Sequence, residues 1–211
     1  QGILLDEKRG FHPHTTWSNT TPDNARRLLE DIGFAGNVKT YGIVRAYTTR
    51  HGFGPFVTED EALDTPLYEY FNGTGPWQGK FRIGHFDAVA HRYAARAAGH
   101  LDGVVITGVD RYDDLPLWQY APRYEWPETA DAATYFERGE HGMVQDITLS
   151  RYGDKRHMTR LTELLFQARP DYETLQNPSR ADIVSTIEAQ LGLRAVLVSH
   201  GPTVDDKIEM L

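Results

Sequence analysis

Residues 103–110, GVVITGVD, decide the fold: an apolar run ends there on a glycine, a valine and an acid. Val104, Val105 and Ile106 have the pattern of a buried strand, which is typical of a parallel sheet covered on both faces. Open α/β folds bind their ligands at the carboxyl edge of such strands. Asp110 therefore has two interpretations, a solvated turn residue or a carboxylate that recognises a ligand.

Helical and strand patterns alternate on both sides of this stretch. Apolar spacing predicts a first helix that opens at Thr21–Asp23, with Leu28, Leu29 and Ile32 on its apolar side. Further helices are predicted over about 84–99, 157–168 and 179–191. Strands are predicted at 38–47 and 194–199. The alternation predicts one α/β unit over residues 1–211, with a largely parallel central sheet flanked by helices. Residues 115–142 predict only irregular structure with a short helix near 129–138, and 115–177 has the character of an insertion.

Composition narrows the classes of partner. The 211 residues carry a formal charge of −8 and no cysteine. A net negative chain lacks the basic face of a general nucleic-acid binder, although a mononucleotide needs only a few placed cations. No apolar run approaches the ~18 residues of a membrane span. We therefore expect neither nucleic-acid nor membrane partners, and the absence of thiols fits a reducing cytoplasm.

A run of hydroxyl and amide side chains, HTTWSNTT at 14–21, precedes the first predicted helix. Such groups at a helix amino end suit a phosphate, but they also serve as simple caps, and both interpretations stay open. The histidines show no convincing ligand spacing, so no metal site is predicted in this chain.

The glycine-rich stretch GTGPWQGK at 73–80 is not a phosphate loop, because Thr74 and Phe81 break the required pattern. Its exposed N–H groups, with Lys80 and Arg82 after them, suit a small dicarboxylate. The alternative is an ordinary surface loop with two basic residues.

Five segments in order together resemble one family. They are QGILLDEKRGFHPHTTWSNTT (1–21), GIVRAYTTRHGFGPFVTE (42–59), GKFRIGHFDAVA (79–90), VVITGVD (104–110) and VSHGPTVDD (198–206). The chain resembles the carboxyl-terminal part of an adenylosuccinate synthetase. The resemblance implies that the family's catalytic aspartate, histidine and phosphate loop lie upstream, as do the ligands of its Mg²⁺, and that this fragment alone is inactive.

That family is a C–N ligase that joins L-aspartate to the 6-position of a purine nucleotide after a nucleoside triphosphate has phosphorylated the 6-oxygen. By resemblance, Gln1 would assist catalysis at the 6-oxo group, and the purine nucleotide would contact Gln1, Thr16, His51 and Arg82. The aspartate would contact Thr74, Gly75, Gln78, Gly79 and Lys80, and the donor nucleotide would contact Gly108, Asp110, Ser199, Gly201 and Pro202. The resemblance also implies a cytoplasmic homodimer.

Departures from the family pattern bear on the substrates. Gly108 replaces a lysine that packs over guanine, which favours ATP or dATP as donor over GTP. Trp17 replaces a small serine beside Thr16, and Lys80 replaces an arginine. The combination resembles the family's phage branch, which acts on dGMP in the host cytoplasm to supply 2-aminoadenine genomes. The alternatives are an ordinary synthetase using IMP and GTP, and a non-catalytic nucleotide-binding module.

Overall fold

The structure is a computed structural model that describes residues 2–210. Its strands are β1 Tyr41–Arg45, β2 Thr48–His51, β3 Phe81–Gly84, β4 Phe86–Asp87, β5 Gly103–Thr107, β6 Leu117–Tyr124, β7 Phe136–Arg138, β8 Val144–Ile147, β9 Pro170–Gln176, β10 Ala195–Ser199 and β11 Lys207–Glu209. Its helices are α1 Asp23–Asp31, α2 Ala88–Ala98, α3 Ala132–Tyr135, α4 Lys155–Leu165 and α5 Arg180–Leu191. None of these helices is long and apolar enough to cross a membrane.

Residues 103–107 form β5, the second strand of a four-stranded sheet ordered β1-β5-β10-β11, and Val109 and Asp110 begin a short 3-10 helix after it. β5 runs parallel to both β1 and β10, and only β11 is antiparallel. Val104 and Ile106 are buried with Ile183 and Ile187 of α5 in one core cluster. The predicted α/β fold with a parallel central sheet and flanking helices is therefore confirmed.

Helix α2 begins at Ala88, four residues later than predicted, because Phe86 and Asp87 pair in parallel with β6. The Asp87 carboxylate caps the helix by accepting a hydrogen bond from the Ala90 N–H at 3.0 Å. It is 2% exposed and accepts the Tyr124 hydroxyl at 2.6 Å. Burial raises the pKa of Asp87 to about 6.

The prediction of irregular structure over 115–142 is wrong. A five-stranded sheet carries β4, β6, β7, β8 and β9, and its longest ladder pairs β6 with β9 in antiparallel register. Its core buries Tyr124 and Ile147 together with Leu161 of α4. The short helix predicted near 129–138 is confirmed as the single turn of α3.

The first predicted helix is confirmed as α1, but its apolar side faces solvent. Leu28 and Ile32 are 66% and 75% exposed. Strand β1, shorter than the predicted 38–47, lies at the edge of its sheet, and Ile43 on it is 75% exposed. Pro22 occupies the N-cap position without a side-chain hydrogen bond, so Thr21 is not the predicted cap.

Candidate active site

A buried carboxylate organises the hydroxyl-rich segment. Asp6 accepts hydrogen bonds from the Ser18 hydroxyl at 2.8 Å and from the N–H and hydroxyl of Thr20 at 2.7 and 2.9 Å. Ser18 Oγ lies 2.8 Å from Thr16 Oγ1. Because Ser18 gives its proton to Asp6, Ser18 accepts in that contact, and the single Thr16 proton has a second acceptor in the Leu5 carbonyl at 3.3 Å. To bind a phosphate, the Thr16 hydroxyl must turn its proton from these two acceptors to the ligand.

The hydroxyl-rich segment therefore does not cap α1. Ser18 and Thr20 donate back to Asp6, and the Thr21 hydroxyl donates to the Asp23 carboxylate at 3.0 Å, so no side chain of the segment accepts a hydrogen bond from an N–H group of the helix. Sequence reasoning gave Asp6 no role, although an acid directly after the apolar run Ile3–Leu5 was a usable signal.

Residues 51–56, HGFGPF, form a glycine-rich loop at the end of β2, and two arginines donate hydrogen bonds to its carbonyls. Arg82 donates to the carbonyls of Gly52 and Gly54 at 3.1 and 2.9 Å, and forms a bidentate ion pair with Glu59. Arg50 donates to the Phe53 carbonyl between them, at 3.0 Å from Nη2. The three successive carbonyls are thus fixed by guanidinium groups.

His51, predicted to lie near the ribose, begins this loop. Its ring meets the Phe81 ring edge-on with centroids 5.5 Å apart. Its Nε2 is buried and has no hydrogen-bond partner within residues 2–210. A buried imidazole nitrogen without a partner is uncommon in folded proteins, and a ligand hydroxyl would satisfy it.

Residues 74–80, which are predicted to bind L-aspartate and are called the aspartate loop, contact the glycine-rich loop. Gly75 and Gly79 close the tip of the aspartate loop with two backbone hydrogen bonds of 3.0 Å, and the Gly52 N–H donates to the Lys80 carbonyl at 3.0 Å. A Cβ on Gly52 would lie 2.4 Å from the Gln78 carbonyl oxygen, and φ there is +82°. Position 52 therefore requires glycine for this contact.

Lys80 lies at the base of the aspartate loop, and two carboxylates already bind its amine. Its Nζ is 2.7 Å from Asp64 and 3.2 Å from Glu61, and these contacts raise the pKa of Lys80. A substrate carboxylate at this point has to compete with both side chains. Thr74 and Gln78 are exposed on the same loop.

An open cleft of about 480 Å³ lies beside Arg82, a volume suited to a small molecule. Glu59 and Phe56 line one side and Phe166, at the end of α4, lines another. The region predicted to resemble an insertion therefore contributes to the cleft. The Phe166 ring also packs on the Phe53 ring with centroids 5.8 Å apart.

The predicted donor residues meet at the carboxyl edge of β5 and β10. Thr107 pairs with Ser199, so the residues that follow each strand are neighbours. Gly108 has φ +72°, and the Asp110 carboxylate accepts no hydrogen bond from the part of the chain that the structure describes. Ser199 is buried and donates to the Gly201 carbonyl at 3.0 Å, while Pro202 is exposed.

Two residues at this edge were not predicted. Arg180, at the start of α5, forms a bidentate ion pair with Asp113 and donates to Nδ1 of His200 at 2.9 Å. Because an arginine only donates, His200 must carry its proton on Nε2. No local sequence pattern links Arg180 to His200, since their contact depends on the packing of α5 against the sheet.

Tyr47 connects the two predicted nucleotide sites. A Cβ on Gly108 would lie 3.0 Å from the Tyr47 ring, so this ring covers the start of the donor edge. Arg50 follows three residues later, so the Cα atoms of Tyr47 and Arg50 are at most about 11 Å apart. The donor edge and the glycine-rich loop are therefore linked through a short stretch of chain.

Gln1 lies outside the described residues, so its predicted contact with the purine stays a prediction. Among residues 2–210 the structure brings together no group of three His, Asp or Glu side chains that could hold a metal ion. The Mg²⁺ expected from the resemblance is not assigned to any of these side chains.

Comparisons with known proteins agree with the arrangement of these segments. The sequence model of the family described as "Adenylosuccinate synthetase" matches residues 1–208. The adenylosuccinate synthetase of Desulforamulus reducens is 36% identical over 184 residues, covering 78% of this chain and 42% of that protein. That of Teredinibacter turnerae is 30% identical over 220 residues, covering 100% of this chain and 46% of that protein. The chain thus spans less than half the length of these relatives.

Two solved structures share the fold. Fully ligated adenylosuccinate synthetase from Plasmodium falciparum superposes with a TM-score of 0.70 at 20% identity, covering 99% of this chain and 48% of that one. The succinoaminodeoxyadenylate synthetase of cyanophage S-2L, bound to dGMP and dATP, gives a TM-score of 0.51 at 18% identity and covers 99% and 44%.

Proposed function

This chain belongs to the adenylosuccinate synthetase family, and we propose that it forms the nucleotide- and aspartate-binding part of a C–N ligase. The ligase phosphorylates the 6-oxygen of a purine nucleotide with a nucleoside triphosphate. The amine of L-aspartate then attacks C6 and releases inorganic phosphate. The observation that carries the proposal is that the β2–β3 region contacts both other segments. The Gly52 N–H donates to the Lys80 carbonyl of the 74–80 loop, and Arg50 donates to the His14 carbonyl in the segment that carries Thr16.

The residue roles in this proposal combine the family resemblance with the contacts of the described residues. Thr16 donates to the 5′-phosphate once its proton turns away from Ser18 and the Leu5 carbonyl, and His51 offers Nε2 to the ribose. Lys80 and those N–H groups of the 74–79 loop that Gly75 and Gly79 do not use to close it take the carboxylates of L-aspartate. Arg82 acts on the purine nucleotide through the glycine-rich loop whose carbonyls it holds. Gln1 would contact the purine and assist the reaction at its 6-oxygen.

At the donor edge, we assign base recognition to Asp110, whose carboxylate follows β5 and accepts no hydrogen bond from the described residues. Ser199, Gly201 and Pro202 form the wall opposite Gly108. Binding of the triphosphate with Mg²⁺ would complete this site, and we propose a homodimer in the cytoplasm as for the family.

IMP with GTP is the substrate pair favoured by the relatives, which are ordinary synthetases. One observation favours a second candidate, dGMP with ATP or dATP as in the phage branch. Gly108 stands where the family has a lysine, and its left-handed backbone with the Tyr47 ring beside it suits glycine better than lysine.

The experiment is a crossed assay of the whole protein that carries this chain. IMP or dGMP is combined with GTP or ATP, L-aspartate and Mg²⁺, and the succino-nucleotide product is identified by mass spectrometry. Formation of adenylosuccinate from IMP and GTP supports the first candidate, and formation of 2-aminodeoxyadenylosuccinate from dGMP and ATP supports the second. Nucleotide binding without any product would contradict the ligase and favour a non-catalytic binding module.

Asp110 supplies a matched test of the donor site. Asp110→Asn should raise the KM for the triphosphate at least about tenfold, because it removes a hydrogen bond to a charged group. Asp114→Asn, four residues along and exposed, is the control and should leave that KM unchanged. Equal KM values for the two variants would remove Asp110 from the donor site.

A further inference from the structure

The hairpin of β2 and β3 sets two arginines directly opposite each other, because Arg50 pairs with Arg82 in its register. Like charges opposite each other in a sheet are destabilising. Arg82 is compensated by its ion pair with Glu59. Arg50 is 6% exposed and forms no ion pair with a carboxylate within residues 2–210. A buried cation without a counter-charge calls for another explanation.

The hydrogen bonds of Arg50 go to backbone carbonyls on two separate segments. Nη2 donates to the His14 carbonyl and to the Phe53 carbonyl, both at 3.0 Å, and Nε donates to Phe53 at 3.3 Å. His14 precedes Thr16 by two residues, and Phe53 follows His51 by two. One guanidinium therefore joins the segment that carries Thr16 to the loop that carries His51.

The glycine-rich loop is shaped around this guanidinium. A Cβ on Gly54 would lie 2.1 Å from Arg50 Nη2, and Gly54 has φ +129°, which disfavours any other residue. The His14 ring meets the Phe53 ring edge-on with centroids 5.0 Å apart, so the two segments also pack beside the arginine. The contact is thus a close-packed junction.

We propose that Arg50 is a positioning residue for the purine nucleotide, holding the Thr16 segment and the glycine-rich loop at the spacing that the 5′-phosphate and the ribose require. The inference rests on the proposed function, which assigns phosphate to one segment and ribose to the other. The uncompensated charge of Arg50 also favours an anion beside these segments over a neutral ligand. A nucleoside uses only one side of the junction, whereas a nucleotide uses both.

The test compares Arg50→Lys and Arg50→Gln with a control, Arg92→Lys, in the whole protein that carries this chain. Arg92 is also largely buried and donates to the Pro122 carbonyl at 2.7 Å and to Asp146 at 2.8 Å, away from the candidate site. Dissociation constants for IMP, dGMP, inosine and deoxyguanosine are measured by calorimetry, and thermal unfolding is recorded for each variant.

Arg50→Lys should weaken binding of the preferred nucleotide about tenfold, the loss expected for one hydrogen bond from a charged group, and weaken its nucleoside less than about threefold. Arg50→Gln should weaken the nucleotide further, since it also removes the charge. Arg92→Lys should lower the unfolding temperature and leave every dissociation constant unchanged. KM for L-aspartate should stay within about threefold in all variants.

Nucleotide affinity unchanged in a folded Arg50→Lys protein would overturn the inference, as would equal losses for nucleotide and nucleoside. If Arg50→Gln does not fold, Arg50→Lys alone decides. Turnover is not needed for this comparison, so a wild-type protein that binds nucleotide without forming product contradicts the proposed ligase and still tests Arg50. A wild-type protein that binds no purine nucleotide overturns both.

Discussion

The buried carboxylate of Asp87 should make the stability of the protein fall as the pH rises through the mildly acidic range. Its folded-state pKa is about 6, raised by burial from 3.8. Between pH 3.8 and about pH 6 the folded state binds more protons than the unfolded state, so the free energy of unfolding decreases as the pH rises. The shift of 6 − 3.8 = 2.2 units corresponds to about 3 kcal/mol, lost between about pH 4 and pH 6.

Asp87→Asn isolates this contribution. An asparagine can accept from the Ala90 N–H and donate to the Tyr124 oxygen, so the geometry of the site is kept. Urea unfolding of the wild type and the variant should give similar free energies at pH 4. The variant should then be about 3 kcal/mol more stable than the wild type by pH 7.

Asp114→Asn, at an exposed carboxylate, is the control, and its difference from the wild type should stay constant with pH. Parallel pH profiles for Asp87→Asn and the wild type would refute the reasoning. A wild type that gains stability over Asp87→Asn as the pH rises would also refute it, because it would mean that the ionised carboxylate is favoured by its surroundings.

Three further substitutions test the site and the core. Lys80→Ala should leave the unfolding temperature unchanged, because its ion pairs are exposed, and raise KM for L-aspartate at least about tenfold in steady-state assays. Gly108→Lys should cost about 1–2 kcal/mol of unfolding free energy, because a non-glycine residue must adopt φ +72° beside the Tyr47 ring, and should move the kcat/KM ratio of ATP to GTP towards GTP. Trp118→Phe should cost about 2–4 kcal/mol in urea unfolding, because it opens a cavity and removes the 2.7 Å hydrogen bond to the Ala46 carbonyl.

Elements with a strong local pattern were predictable from the sequence. The apolar run of β5 and the spacing of Ile183, Ile187 and Leu191 in α5 gave the parallel sheet and its covering helix. The second sheet was not predictable, because its main ladder joins β6 to β9 across a long stretch of chain. Its strands also mix buried aromatic residues with prolines and charges, which hides a period of two.

Some residues of the candidate site were also predictable from the sequence, and others were not. Motif resemblance pointed to Thr16, His51 and Asp110, and the structure brings the segments of Thr16 and His51 into contact through Arg50. The roles of Asp6, Arg50 and Arg180 could not be predicted, since they depend on where backbone carbonyls and distant side chains point after folding. A buried arginine that binds only carbonyls has no signature in the order of residues.

The exposed apolar side of α1 and the open edge of β1 have a consequence for the chain in solution. An unpaired parallel edge strand is a template for pairing with another chain, and Leu28, Ile32 and Ile43 add apolar area beside free backbone groups. Whatever covers this surface stabilises the folded state by mass action. When no other group covers this surface, folded copies of the chain can cover it for each other, so the midpoint of thermal unfolding should rise with protein concentration. Sulfate strengthens apolar contacts and should then promote precipitation.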